Sequence, residues 1–318
     1  MATHTLGLHH VTLVSGDPTA TVEFYAGFLG LRLVKRTVNF DDPTGHHLYF
    51  GDEVGHPGSV LSFLVQPGAT RAKAGTGAAS VVSFAVTRSA LGFWIDRLIH
   101  EGLRFEGPTE RFQEQVVTFW DPDGLLLELV THPEAEARPV WSGCPLPVRE
   151  AIRGLHSVTL WVEGFHGTAR FLEEVLGFHE VGYEGARFRF AVDDAGPGSI
   201  VDLRCMPEFQ RAIPGKGGVH HVAWRVLDDE AHRALALKLV RAGVDVTPPL
   251  DRVYYHSLYF REPGGLLFEV STDSPGFTAD EPTHALGMRL SLPAWMEPCR
   301  RGIEAALPEI QIAEPARA

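Results

Sequence analysis

Two short stretches set adjacent histidines inside apolar, β-branched runs: LHHVTL at Leu8 to Leu13 and VHHVAW at Val219 to Trp224. A third pair, His46-His47, has no partner feature, and among 16 histidines about one such pair is expected by chance. A carboxylate of similar setting, Glu269, sits in LLFEVS, where the flanking residues read as a buried strand and an unpaired charge would be costly. Two neutral imidazoles and one carboxylate, with no fourth protein ligand, form the donor set of the facial-triad non-haem Fe(II) centres. Zinc hydrolases use the same donors, so the ligand types alone leave the metal open.

What selects among the histidines is the chain's self-similarity. LHHVTLVSGDPTATVEFYAGFLGL from Leu8 matches LHSVTLWVEGFHGTARFLEEVLGF from Leu155, and both run on into GSVLSFLVQP and GSIVDLRCMP. A second gapless pairing lays Gly102 on Gly243, Pro108 on Pro249 and DPDGLLLELVT on EPGGLLFEVST, which puts Glu128 on Glu269. The common unit opens with a Val/Thr-rich strand. A helix follows, with apolar Val22, Tyr25, Phe28 and Leu29 on one face, Asp17-Pro18 as N-cap and first position, and glycine at its end. More strands complete it, the last after the turn chemistry of DPDG or EPGG. The unit is thus βαβββ, about 60 residues long, and occurs four times. The expected fold is α+β, four βαβββ modules forming two paired-module domains with cupped mixed β-sheets. We place the first domain at 1–137, a linker at 138–152 in the Pro-rich stretch HPEAEARPVWSGCPLPVREAIR, the second domain at 153–273, and a C-terminal arm at 274–318.

Laid over one another, the units differ where chemistry is at stake. The first pairing puts Ser157 under His10, and the second puts Ala79 and Ser80 under His220 and His221. The outer units therefore carry ligands where the inner units carry serine. This predicts one working site from units one and four and one silent site from units two and three. Glu128 keeps its acid in the silent copy, which argues for a structural partner there. Tyr259 on the strand before Glu269 has Thr118 as its counterpart and tracks the working pair, whereas Arg252 has Arg111, so an ordinary ion pair competes with a site role. Thr12 shares a face with His10. His9 and His220 should face away from a metal held by His10 and His221, because strand neighbours alternate, unless the strands are bulged.

The bulk numbers exclude several classes. The chain has 318 residues, 44% of them hydrophobic, and a formal charge of −12 without a Lys/Arg cluster, which argues against nucleic acid. No apolar run approaches the roughly 18 residues that span a bilayer, and no leader is evident, so the cytoplasm is the expected compartment. Three scattered cysteines suggest neither a disulfide framework nor a thiolate zinc site. A small organic partner is the default, and a homo-oligomer is left open.

Four βαβββ units with His, His and Glu on these strands resemble the vicinal oxygen chelate (glyoxalase/bleomycin resistance/dioxygenase) superfamily. Within it the chain is most similar to the hydroquinone-type ring-cleaving extradiol dioxygenases, whose first ligand comes from unit one, as His10 does. The resemblance spans roughly residues 7 to 272. It implies His10, His221 and Glu269 as ligands of Fe(II), with Mn(II) the other metal in view. It also implies catalytic roles for Tyr259, His220 and Arg252, supporting roles for His9 and Thr12, and a small aromatic substrate with O2. A glyoxalase-type isomerase or lyase would usually add a second carboxylate, whose place is taken by Ser62. A protein that only sequesters a small molecule would commonly lack the full triad.

Overall fold

The central strands are Val- and Leu-rich runs buried on both faces, as in LHHVTLVS and VLSFLV, and their successive side chains meet different surroundings on the two faces. In the computed structural model, residues 4–193 and 195–311 are described; 1–3 and 312–318, at the ends of the expected first domain and arm, lie outside the described residues, as does 194. Module one comprises β1 (Leu8–Ser15), α1 (Pro18–Val22), β2 (Arg32–Asn39), β3 (Asp42–Gly51) and β4 (Val60–Val65). Module two comprises β5 (Ala78–Val86), α2 (Leu91–His100), β6 (Phe105–Arg111), β7 (Glu114–Trp120) and β8 (Leu126–Thr131). Module three repeats the pattern as β9 (Leu155–Val162), α3 (Phe165–Phe171), β10 (His179–Glu184), β11 (Arg187–Ala191) and β12 (Ile200–Cys205). Module four is β13 (Gly218–Val226), α4 (Asp229–Arg241), β14 (Leu250–Asp251), β15 (Tyr255–Arg261) and β16 (Leu267–Pro275).

The first helix starts as its sequence predicts. Asp17 accepts from the backbone N–H groups of Thr19 and Ala20, and Pro18 takes the first turn. The α-helix then widens into a π-helical turn, Glu23–Phe28, before Gly30 at φ 73° releases the chain into β2. Module three repeats the device with a π-helical turn at Leu172–Leu176 and Gly177 at φ 83°.

The modules combine into two eight-stranded mixed sheets. One has the order β14-β15-β16-β13-β1-β4-β3-β2 and joins modules four and one; the other, β10-β11-β12-β9-β5-β8-β7-β6, joins three and two. Each sheet thus takes one module from either side of the Pro-rich stretch. At the middle of each, the first strands of two modules run antiparallel, β1 with β13 and β5 with β9. One apolar core includes residues of both sheets and their helices, with Phe24 against Phe119 and Phe28 against Trp94. Phe268 and Val270, Leu258 and Phe260, and Leu48 and Phe50 belong to this core. The residues that alternate with them along the strands, Glu269, Ser257, Tyr259, His47 and Tyr49, turn to the other face of the first sheet.

The arm packs on the outer strands of that same sheet. Buried Lys35 on β2 donates to Asp280 at 2.6 Å and Glu281 at 2.5 Å. Phe277 packs against Tyr49 and Tyr254, and His46 Nε2 lies 2.8 Å from the Pro308 carbonyl. A short helix, α5 (Arg300–Ala306), completes the arm among the described residues. None of the described helices is long and apolar enough to cross a membrane.

Candidate metal centre

The central antiparallel pair of the first sheet carries the doubled histidines, and each doublet contains a β-bulge. Leu8 pairs with Trp224 but His10 with Ala223, so His9 is an extra residue on β1. Thr12 pairs with His221 but Leu13 with Val219, so His220 is an extra residue on β13. A bulge breaks the strict alternation of faces and lets two successive rings turn to one region. His9 and His10 accordingly face one another through their Nδ1 atoms at 2.8 Å, as do His220 and His221. Strict alternation would have put the first histidine of each pair on the far face; the bulges bring both close.

The second nitrogen of each inner histidine points to Glu269. His221 Nε2 lies 2.6 Å and His10 Nε2 3.5 Å from Glu269 Oε2. The other carboxylate oxygen accepts hydrogen bonds from Ser257 and, at 2.8 Å, from Ser271. Three buried atoms, His10 Nε2, His221 Nε2 and Glu269 Oε2, have no hydrogen-bond partner among the described residues. One ligand atom from each of these residues falls within 4.8 Å of the others. Such convergence of buried donors of the metal-ligating kind fits a divalent cation, which would satisfy all three at once. Burial pushes the Glu269 carboxyl up, but His10 and His221 outweigh it and hold the group well below the carboxylate range. Burial, with the neighbouring imidazole, pushes His9 down to about 3, and burial also lowers His221; His220, an exposed residue, is lowered to about 4 by partial desolvation and by His221. Neutral imidazoles are the form that binds metal.

A cavity of about 360 Å³ opens beside these atoms, lined among others by Thr12, His47, Tyr49, Arg252, Tyr255 and Tyr259. Tyr259 pairs across the strands with Glu269, and its ring meets His221 edge-on at 5.5 Å. The Arg252 guanidinium lies 5.4 Å from the Tyr259 ring centre and 3.1 Å from Asp41. Thr12 reaches the site through Ser62, at 2.7 Å. The eight residues singled out in the sequence are therefore neighbours. Sequence reasoning missed His47, Tyr49, Ser257 and Tyr255, and read Ser62 only as the place of an absent carboxylate. In the sequence His47 reads as half of an unpartnered doublet, yet its Nε2 lies 3.0 Å from Ser62 Oγ and its Nδ1 3.0 Å from the Tyr49 hydroxyl. Tyr49 in turn meets the Tyr255 hydroxyl at 3.2 Å, and the Tyr255 ring packs on His9 and His10.

The second sheet shows what the same scaffold does without the ligands. Glu128 accepts two hydrogen bonds from Arg111, at 2.9 and 2.6 Å, and one from Ser83 at 2.8 Å. Arg187, Arg189, Asp202, Glu114 and His156 extend this into a buried ionic network. The guanidinium of Arg111 gives Glu128 a permanent cation, where Glu269 faces the titratable imidazoles of His10 and His221. The structure also corrects the sequence register by one residue. Leu8 pairs with Trp224 where Leu155 pairs with Phe84, and Ala223 with Glu269 where Ser83 pairs with Glu128. The counterpart of His221 is therefore Val81, not Ser80; Ser80 is the bulge residue that answers His220. A one-residue length difference between β5 and α2, relative to β13 and α4, hid this in a gapless comparison.

A family model described as the Glyoxalase/Bleomycin resistance protein/Dioxygenase superfamily matches residues 7–129 and 154–270. The chain belongs to this superfamily. The two matched stretches correspond to the module pairs on either side of the Pro-rich segment, and together they contain all three candidate ligands. Among curated members, the Bacillus subtilis (strain 168) protein named "Putative ring-cleaving dioxygenase MhqO" is 43% identical over 316 residues, 99% of each chain. The chlorohydroquinone/hydroquinone 1,2-dioxygenase of Sphingobium indicum is 31% identical over 298 residues, 92% of each chain. A crystal structure from Bacillus subtilis subsp. subtilis str. 168 superposes with a TM-score of 0.93 at 42% identity, covering 99% of this chain and 100% of that one.

Proposed function

We propose that this member of the superfamily is an extradiol-type ring-cleaving dioxygenase for hydroquinone-type aromatics, chlorinated or otherwise substituted ones included, and that His10, His221 and Glu269 hold Fe(II). The observation that carries the reading is the convergence of three unpartnered buried ligand atoms beside a cavity walled by tyrosines, histidine and arginine. Relatives named for ring cleavage, one of them for hydroquinone, support the substrate class. Mn(II) accepts the same donors, so metal analysis of the purified protein distinguishes the two.

Bound iron would supply the open coordination positions and the electron transfer that make O2 reactive toward the ring. The chain's own residues bind, orient and handle protons. Burial and the Glu269 charge push the Tyr259 phenol well above its ordinary value, against the pull of Arg252, so Tyr259 stays protonated and donates to an oxygen beside the metal position. Arg252 offsets negative charge that develops on the substrate, and neutral His220 serves as proton acceptor or donor. Atoms balance without a co-reactant. A ring C–C bond next to a hydroxyl-bearing carbon breaks, both atoms of O2 enter the product, and that carbon becomes a carboxyl group while its neighbour becomes a carbonyl.

Protein loaded anaerobically with ferrous iron should consume one O2 per hydroquinone and form a ring-opened chromophore. Absence of uptake with every dihydroxybenzene tried would sink the reading. The isomerase alternative is disfavoured by Ser62, which stands where a second carboxylate would be needed and is bound to Thr12 and His47.

A further inference from the structure

The wall formed by His220, His221 and Leu267 has a second cavity on it. This larger chamber, about 610 Å³, lies between the two sheets, and it is lined by Arg71, Lys73, Arg211 and Arg261 together with the His220-His221 doublet. Among the described residues, none of these four cations has a carboxylate partner. Arg71 donates to the Asp123 carbonyl at 3.0 Å, Arg211 to the Gly264 carbonyl at 3.2 Å and Arg261 to the Gly265 carbonyl at 2.8 Å. Asp123 is the one acid on the wall, and its carboxylate accepts from the backbone N–H of Gly16.

The chamber is built rather than incidental. Its roof is two loop segments that pair across the molecule: Lys73 and Ile213 exchange backbone hydrogen bonds at 2.9 and 3.0 Å, and Ala72 and Ala212 bond to Lys216 and Thr76. The two arginines are related by the internal repeat and sit on matching glycines of the DPDG and EPGG turns. A Cβ on Gly124 would meet Arg71 Nη2 at 3.1 Å, and one on Gly265 would meet Arg211 Nη2 at 3.2 Å. Both glycines have φ above 90°, so the turn and the space for the guanidinium have the same requirement.

We propose that this basic chamber is a carboxylate-binding site, and that its occupant is the ionised ring-opened product of the neighbouring centre. The inference rests on the ring-cleavage reading for the identity of the ligand. A neutral diol gives four cations nothing to attract, whereas cleavage creates a carboxylate that is ionised at neutral pH. Clustered like charges raise the local concentration of an anion and draw it off the metal side of the wall. Substrate and product then use opposite faces of the same histidine doublet.

The test uses cis,cis-muconate, a stable ring-opened dicarboxylate, titrated calorimetrically into the full-length protein. Binding should weaken about tenfold in Arg211→Gln and further in the Arg211→Gln/Lys73→Gln double variant, and it should weaken with salt. Both residues are exposed, so folding is spared, which a thermal melt of each variant checks. In turnover, muconate inhibition should weaken in parallel while the KM for hydroquinone stays unchanged. Failure of muconate to bind, or loss of binding on Arg252→Gln but not on Arg211→Gln, would overturn the proposal. A raised KM for hydroquinone in the chamber variants would also overturn it, since the chamber would then be the entrance. Muconate binding at Arg211 without O2 uptake with any diol would leave the carboxylate site standing and remove the dioxygenase reading instead.

Discussion

His9 Nδ1 and His10 Nδ1 lie 2.8 Å apart, and this contact decides which nitrogen of His10 is free to bind a metal. His9 Nε2 faces the Thr272 carbonyl at 3.1 Å, and a carbonyl can only accept. A neutral His9 therefore carries its proton on Nε2 and presents a bare Nδ1, which accepts from Nδ1–H of His10. The lone pair of His10 is thereby fixed on Nε2, the atom that faces Glu269. His220 makes the same Nδ1 contact with His221, but among the described residues its other nitrogen has no carbonyl anchor, and its side chain borders both cavities. The two doublets thus divide their labour, His9 as a fixed support and His220 as a group free to exchange protons.

Replacing His9 with phenylalanine keeps an aromatic ring in the buried space and removes the acceptor. Metal affinity should fall about 10- to 100-fold, the range expected when a ligand histidine loses its orienting partner. Competitive titration with Zn(II) or Fe(II) measures this; unchanged affinity would show that His10 needs no such partner.

The same residue gives a pH dependence with a definite sign. His9 is held neutral in the fold at a value near 3, against 6.5 for the unperturbed group. Below pH 6.5 the unfolded chain takes up a proton that the folded chain refuses, so stability falls as pH falls, down to about 3. The slope from this one group is about 1.4 kcal/mol per pH unit. Glu269, whose value is depressed, acts in the same direction, and its contribution is lost as pH drops through its folded value. Urea titrations of the metal-free protein between pH 4.5 and 6.5 should give a shallower acid limb for His9→Phe than for the parent.

How far the sequence carries depends on which residues have a counterpart inside the chain. His10, His221 and Glu269 stand out because the silent copy holds Ser157, Val81 and an arginine-bound Glu128 in their places. The gapless overlay still picked His221 while misnaming its counterpart, because helical and strand segments drifted by one residue between modules. Bulges are invisible to alternation rules, so His9 and His220 could not be placed until the pairing of β1 with β13 was known. His47 and Tyr49 did leave a trace: they are two apart on one strand, and Arg187 and Arg189 occupy matching positions in β11. Only the fold reveals that this face turns toward the ligands.

Glu269 and Glu128 occupy matching places, and their replacements should part cleanly. Glu269→Ala removes a ligand and should abolish metal binding. Glu128→Ala should leave metal content unchanged but destabilise the fold by about 2–3 kcal/mol, because the half-buried Arg111 is left without its carboxylate. Metal analysis together with denaturant melts of both variants checks this. Loss of metal from the Glu128 variant would reverse the assignment of working and silent halves.

The arm offers the last prediction. Lys35 is fully buried, and its ammonium is held by two carboxylates of the arm, one of which, Glu281, is also fully buried. Arg289, the other cation near Glu281, is 71% exposed at 3.5 Å and cannot substitute. Lys35→Met would leave Glu281 as an uncompensated buried charge, a loss of about 3–5 kcal/mol, and the arm is the part that can relieve it by detaching. Phe277 would then leave Tyr49, whose hydroxyl bonds His47 and Tyr255 at the cavity wall. Hydrogen exchange in the variant should rise across 277–290 and weaken protection in β3, with the second sheet unchanged. Adding Glu281→Leu removes the stranded charge and should restore most of the protection, since an apolar pair replaces an ionic one of similar bulk. Exchange that stays at the parent level in Lys35→Met would mean the arm is held by its apolar contacts alone.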